Sequence, residues 1–141
     1  MCDSRLVNNF LQMRLAPDML PFVKQIQICS DTAKGACARL SGQTAPKYED
    51  NEATIEELIA RIDKTVMYIS GFKAEDFADY QSAKIMFPRY PGVYISGADY
   101  LASHALPNFY FHMTTAYNIL RLHGLEIGKG DYLGEQNWIK L

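Results

Sequence analysis

The chain has 141 residues, 48% of them hydrophobic and 21% charged, which suits one domain, residues 1–141, with a sizeable core. A net charge of −2, with its lysines and arginines scattered, leaves no basic face for nucleic acid or an anionic membrane. No apolar run approaches the roughly 20 residues of a membrane helix, and Met1-Cys2-Asp3-Ser4-Arg5 reads as neither a secretory leader nor a myristoylation start. Three cysteines, an odd count, read as reduced thiols in a cytoplasmic protein.

Residues 1–14 carry a short helical pattern in Leu6, Val7, Phe10, Leu11 and Met13. Pro17 suits a helix's first turn, and Asp18 adds negative charge where the helix dipole favours it. From there Met19, Phe22, Ile26, Cys29, Ala33, Ala36 and Leu40 step by three and four, a heptad seam that predicts a helix over 17–41 ending at Gly42. On it Cys29 and Cys37 stand about 12 Å apart, too far to bridge, and read as small core fillers.

A polar connection fills 42–53, and Thr54 with Glu57 makes a capping box. The helix that follows, 55–70, puts Ile55, Leu58, Ile59, Ile62, Val66 and Ile69 on one face, with Glu57 and Arg61 spaced as a surface pair. Ile26 and Ile62 should meet as buried residues on facing seams. A turn of helix around Phe72 and Phe77 comes next. Ile85-Met86-Phe87 and Val93-Tyr94-Ile95, flanking a Pro-rich turn, then read as a small β-ribbon.

Ser96 and Asp99 form a second capping signal, opening a helix over 97–123 that stops at Gly124. Residues 125–141 show no period. The sum is a mainly all-α antiparallel helical bundle: three long helices, a short N-terminal segment, and a β-ribbon between the second and third long helices. Three helices leave one side of a four-helix bundle open. The resulting groove predicts a homodimer, marginal stability, or a C-terminal tail folded back with Trp138 and Ile139 as plugs.

Chemistry concentrates on the last helix. His112 sits mid-helix on a mostly apolar face, as a buried histidine bonded to a carbonyl or tyrosine, or as a metal ligand. His123 shares that face about 16 Å away, and no His-Glu-x-x-His pair occurs. A metal at His112 would need ligands from other helices, with Asp18, Gln25 and Asp31 as candidates. His104 and His123 read as surface or capping residues. Asn108 lies one turn before His112. The Tyr110, Tyr117 and Arg121 ladder could take an anionic or aromatic ligand, or pack on a neighbouring element. Gly124 to Gly130 lacks the spacing and hydroxyl of a phosphate loop, and no nucleophile elbow occurs.

Arg14-Leu15-Ala16-Pro17-Asp18-Met19-Leu20-Pro21, Gln25, Leu106-Pro107-Asn108-Phe109-Tyr110-Phe111-His112, Ala116-Tyr117, Leu120-Arg121 and Gly128-Lys129-Gly130-Asp131-Tyr132-Leu133-Gly134 resemble the DUF1993 family, grouped with the DinB/YfiT-like bundles. That resemblance implies a DinB-like four-helix bundle and a divalent metal, zinc, nickel or iron, near His112. It implies a metal-dependent enzyme of hydrolase or transferase type; the alternative is a non-catalytic bundle binding a small molecule or protein partner. The family has a further helix with its own histidine before the Arg-Leu-Ala-Pro-Asp segment, where this chain has 13 residues. It also has an aromatic residue in the place of His104. The ligand pocket expected on these grounds comprises Asp18, Gln25, Asn108, His112, Tyr117 and Arg121, with His112 as the metal residue.

Overall fold

A computed structural model describes residues 9–140. Three helices dominate: α1 (Phe22–Leu40), α2 (Ile55–Ile69) and, after the ribbon, a long helix in three parts. That ribbon pairs β1 (Lys84–Ile85) antiparallel with β2 (Ile95–Ser96). The long helix opens as α3 (Gly97–Asp99), widens into a π-helical segment over Tyr100–Ala105, and continues as α4 (Leu106–Leu122). A short α5 (Lys129–Leu133) follows.

The helix over 17–41 is shorter than its pattern. It starts at Phe22 with Pro21 as N-cap. Proline disfavours the helical region in the residue before it, so Leu20 cannot carry a helix from Pro17 through Pro21. Of the N-terminal pattern, Asn9–Gln12 forms a 3-10 turn that puts Leu11 in the core; the earlier part lies outside the described residues. The capping box at Thr54 and Glu57 is formed, and Ser96 caps α3 by accepting from the Asp99 amide. His123 closes α4, its Nδ1 2.8 Å from the Ile119 carbonyl oxygen, and Gly124 turns the chain at φ +88.

α1 is the central element. It packs antiparallel against α4, with Val23 near Ala116 and Ile119 at one end and Leu40 near Ala105 at the other. α2 runs alongside α1 in the same direction, because the connection over 41–54 is long enough to return the chain along α1. That return is clamped by charge. Arg61, buried on α2, donates to Glu52 at 2.9 Å and to Asp31 at 2.9 Å, and pairs with Asp50 at 3.1 Å. The Tyr48 ring lies under Lys34 and Lys64, 4.5 and 4.2 Å from its centroid. Arg61 is therefore not the surface partner of Glu57, whose carboxylate is taken by the Ala53 and Thr54 amides.

Two apolar clusters hold the ends of the α1–α4 pair. One is Leu11, Phe22, Val23, Leu58, Ala116 and Ile119; the other is Leu40, Ile85, Tyr100 and Ala105. Between them the interface is polar. α2 and α4 each pack on α1 but scarcely on one another. Against the expectation of buried partners, Ile26 is only half-buried and Ile62 is exposed, and both line the same groove. The tail does not fill it: Trp138 is 88% and Ile139 92% exposed.

Candidate functional site

The polar middle of the α1–α4 interface is built on Gln25 and His112. Both are buried, and His112 Nδ1 lies 2.6 Å from Gln25 Oε1. The Gln25 amide nitrogen donates to the Leu20 carbonyl at 2.8 Å. A carbonyl oxygen only accepts, so the amide orientation follows: its nitrogen faces Leu20 and its oxygen faces the histidine. That oxygen also only accepts, so Nδ1 carries the proton and Nε2 of the neutral ring carries the lone pair. Burial pushes the His112 imidazole below its ordinary value, which keeps the ring neutral near pH 7. The Arg14-to-Pro21 segment thereby acquires a physical role. Arg14 donates to the Met19 carbonyl, shaping the turn that presents the Leu20 carbonyl to Gln25.

His112 lines a cavity of about 610 Å3 between α1, the ribbon and the last long helix. Ile28, Ile85, Phe87, Tyr90, Tyr94 and Ile95 supply apolar and aromatic wall. Asn108, whose amide nitrogen donates to Thr32 Oγ1 at 2.8 Å, and His104 complete a line of polar side chains along one helix face. Arg89 stands at the exposed rim, donating to the Tyr90 hydroxyl at 2.9 Å.

His104 is exposed, as expected of a surface residue, and it also shares the cavity with His112, its ring stacked on Tyr100 at 5.6 Å and near Phe87 at 5.2 Å. The π-helical segment changes the angular step per residue, so a constant 100° reading misplaces everything before Leu106. The ribbon residues were missed for another reason: nothing in their own spacing connects them to His112.

Of the other expected pocket residues, Asn108 lines the cavity, and Gln25 lies outside its lining, bonded to His112. Asp18 is exposed before α1, and Asp31 pairs with Lys34 and Arg61. Tyr117 packs edge-on against Tyr132 and Arg121 donates to the Leu125 carbonyl, both away from the cavity. Cys29 and Cys37 are half-buried free thiols; burial pushes Cys29 up to about 12 and Cys37 upward, which favours the protonated thiol in both.

Among the described residues no three His, Cys, Asp or Glu side chains come together as a metal-ligand set. His104 and His112 stand eight positions apart, about 12 Å along a helix, too far to share one ion. Among the described residues the site therefore supplies one candidate ligand, His112, rather than a complete metal-ligand set.

The fold is that of a DinB-like helical bundle. The crystal structure of a DinB family member from Shewanella denitrificans superposes with a TM-score of 0.92 at 46% identity, over 95% of this chain and 76% of that one. The chain belongs to the family described as domain of unknown function DUF1993, whose model matches residues 2–133. No curated protein matches it. No helix among the described residues is long and apolar enough to cross a membrane.

Proposed function

We propose that this protein is a small-molecule-binding bundle whose ligand occupies the cavity over His112. One observation carries the reading: His112, its Nδ1 held by Gln25 so that Nε2 keeps the lone pair, lines a cavity whose wall is mostly apolar. The complementary ligand has an aromatic or apolar body that fits the cavity and a hydroxyl or N–H donor directed to Nε2. Arg89 at the rim favours a carboxylate or phosphate at the other end. The unpaired thiols suit a reducing cytoplasm, and the scattered charge gives no footprint for nucleic acid.

A fragment screen by NMR on protein with labelled histidine tests the reading. Binders should move the His112 Nε2 resonance, and His112→Leu should weaken them by about fivefold to tenfold, the worth of one buried hydrogen bond. A screen whose hits leave His112 unmoved would sink the assignment.

The Gln25 contact also favours a second reading, a metal-dependent hydrolase or transferase. Metal-bound histidines commonly donate their other N–H to a fixed acceptor, as His112 does. His112 would then be the single ligand from the described residues. Metal analysis of protein purified without a histidine tag separates the two. Stoichiometric zinc, nickel or iron lost in His112→Ala supports the metal reading; metal-free protein that binds its fragments fully supports the first.

A further inference from the structure

We infer that the ligand of the His112 cavity is a phosphate monoester, and that Arg39, Arg89 and His104 select its charge; this rests on the cavity reading above. The ionisable residues with carboxylate-binding or proton-binding side chains that line the cavity are Arg89, His104 and His112, and among the described residues no Asp or Glu joins them. Each of the three rings on the strand connection also bears a cation. The Arg39 guanidinium lies 5.3 Å from the centroid of Phe87, Arg89 lies 5.0 Å from that of Tyr90, and Lys84 Nζ lies 5.0 Å from that of Tyr94. Elsewhere Lys24 pairs with Asp50, Lys34 with Asp31, Lys47 with Glu49 and Arg61 with Glu52. Among the described residues Arg39, Lys84 and Arg89 have no such carboxylate, in a chain whose net charge is −2. Positive charge without its own counter-charge gathers around this one cavity.

Arg39 and His104 converge on the same two rings. Arg39 stands 5.3 and 5.9 Å from Phe87 and Tyr100, and His104 stands 5.2 and 5.6 Å from them. Arg39 also donates to the Tyr100 hydroxyl at 3.3 Å. It reaches that position by folding back along α1 over Gly35, where a Cβ would stand 2.5 Å from its Nη1. A glycine inside a helix weakens it; here the missing side chain seats the guanidinium. The N-terminal turn packs on Phe22, at the far end of α1, about 26 Å along the helix from Arg39. A carboxylate carries one charge on two oxygens, and a single arginine satisfies it. A phosphate monoester carries about −1.5 to −2 at pH 7 on three acceptor oxygens. Three cations and an imidazole match the second. Arg39 and Lys84, about 5 Å from lining rings, act through space within the roughly 8–10 Å Debye length.

Titration calorimetry of the full chain with 1-naphthyl phosphate, 1-naphthyl sulfate and 1-naphthol tests it, since one apolar body then carries a dianion, a monoanion or no charge. The phosphate should bind at least about tenfold more tightly than the sulfate, and the naphthol most weakly. Raising the salt about tenfold should erode the phosphate's advantage and leave naphthol unmoved. Arg39 and Arg89 are exposed, so Arg39→Gln and Arg89→Gln should keep the parent's helical signal. Each should weaken the phosphate about fivefold to tenfold without changing naphthol. The His112 Nε2 resonance should move with phosphate and naphthol alike. Equal affinities across the series, or a phosphate preference that survives both substitutions, overturns the inference while a moved His112 leaves the cavity reading standing. Probes that do not bind, or that bind without moving His112, overturn both.

Discussion

Gln25 holds the site through two hydrogen bonds that only an amide can make together. Leu in its place would leave the Leu20 carbonyl and His112 Nδ1 without partners, at a cost of about 1–3 kcal/mol, readable as a urea midpoint shift. Gln25→Glu would instead set a carboxylate beside the ring and move the His112 titration upward. In the parent, burial lowers that pKa below its unfolded value of about 6.5. Between the two values the unfolded chain holds the extra proton, so stability rises with pH through the window and levels off above about 6.5. His112→Gln should flatten that slope; an unchanged slope would show that His112 is not the group responsible.

Glu52 titrates in the same sense, in the lower pH range of a carboxylate. Burial acts to raise its carboxyl, but hydrogen bonds from Arg61 and Gln27 outweigh this and hold it below its ordinary value. Its contribution is present above the ordinary carboxylate range and is lost as pH falls through the lowered value. Arg61→Ala, which strands Glu52, should cost about 3 kcal/mol in urea melts at pH 7. The Glu52→Gln variant should soften the acid limb of the stability curve.

α3 meets the 3-10 turn over Tyr80–Ser82 at one close approach. The Gly97 amide donates to the Ala83 carbonyl at 2.8 Å, and a Cβ on Gly97 would run into the Tyr80 carbonyl oxygen. Backbone cannot yield as a side-chain tip can, so Gly97→Ala should destabilise by about 1–3 kcal/mol in thermal melts. Hydrogen exchange should quicken across 80–97, and cavity ligands should weaken, since Phe87, Tyr90 and Tyr94 lie on the displaced strand connection. Retained exchange protection there would mean that the close approach is relieved elsewhere. The π-helical segment belongs to the same level: it lets the chain leave the Ser96 cap, bury Tyr100, and still bring His104 to the cavity face that carries Asn108 and His112.

Among the described residues, the groove between α2 and α4 is the largest-scale feature. Two end clusters, which take in Phe22 and Leu40 of the seam, a polar middle and a charged clamp at Arg61 secure α1 to its neighbours, while the half-buried middle of the seam, Ile26, Cys29, Ala33 and Ala36, floors the groove. The tail beyond α5 does not contribute to covering it. Deleting the chain from Glu135 onward should therefore leave the melting curve of the parent within about 0.5 kcal/mol. A larger loss would place Trp138 or Ile139 against the folded body.

Local chemistry was legible wherever it depends on a few consecutive residues. Thr54 with Glu57, Ser96 with Asp99, the stops at Gly42 and Gly124, and the apolar periods of α1 and α2 all specify helices through backbone donors and side chains only a turn apart. His112 was singled out because a lone imidazole on an apolar face needs a partner, and Gln25 stood among the candidates. What the seam faces was not legible, because a heptad records that a helix is wanted and not which chain supplies it. Nor was the start of α1, where Pro21 overrode the pattern that began at Met19. The cavity needed tertiary structure altogether: Phe87, Tyr90 and Tyr94 reach His112 only through a two-residue strand pairing. His104 joins them because packing Tyr100 and Ala105 into the end cluster sets the phase of the widened helix. Sequence patterns carry the energetics of neighbours along the chain, and this site is assembled from neighbours across it.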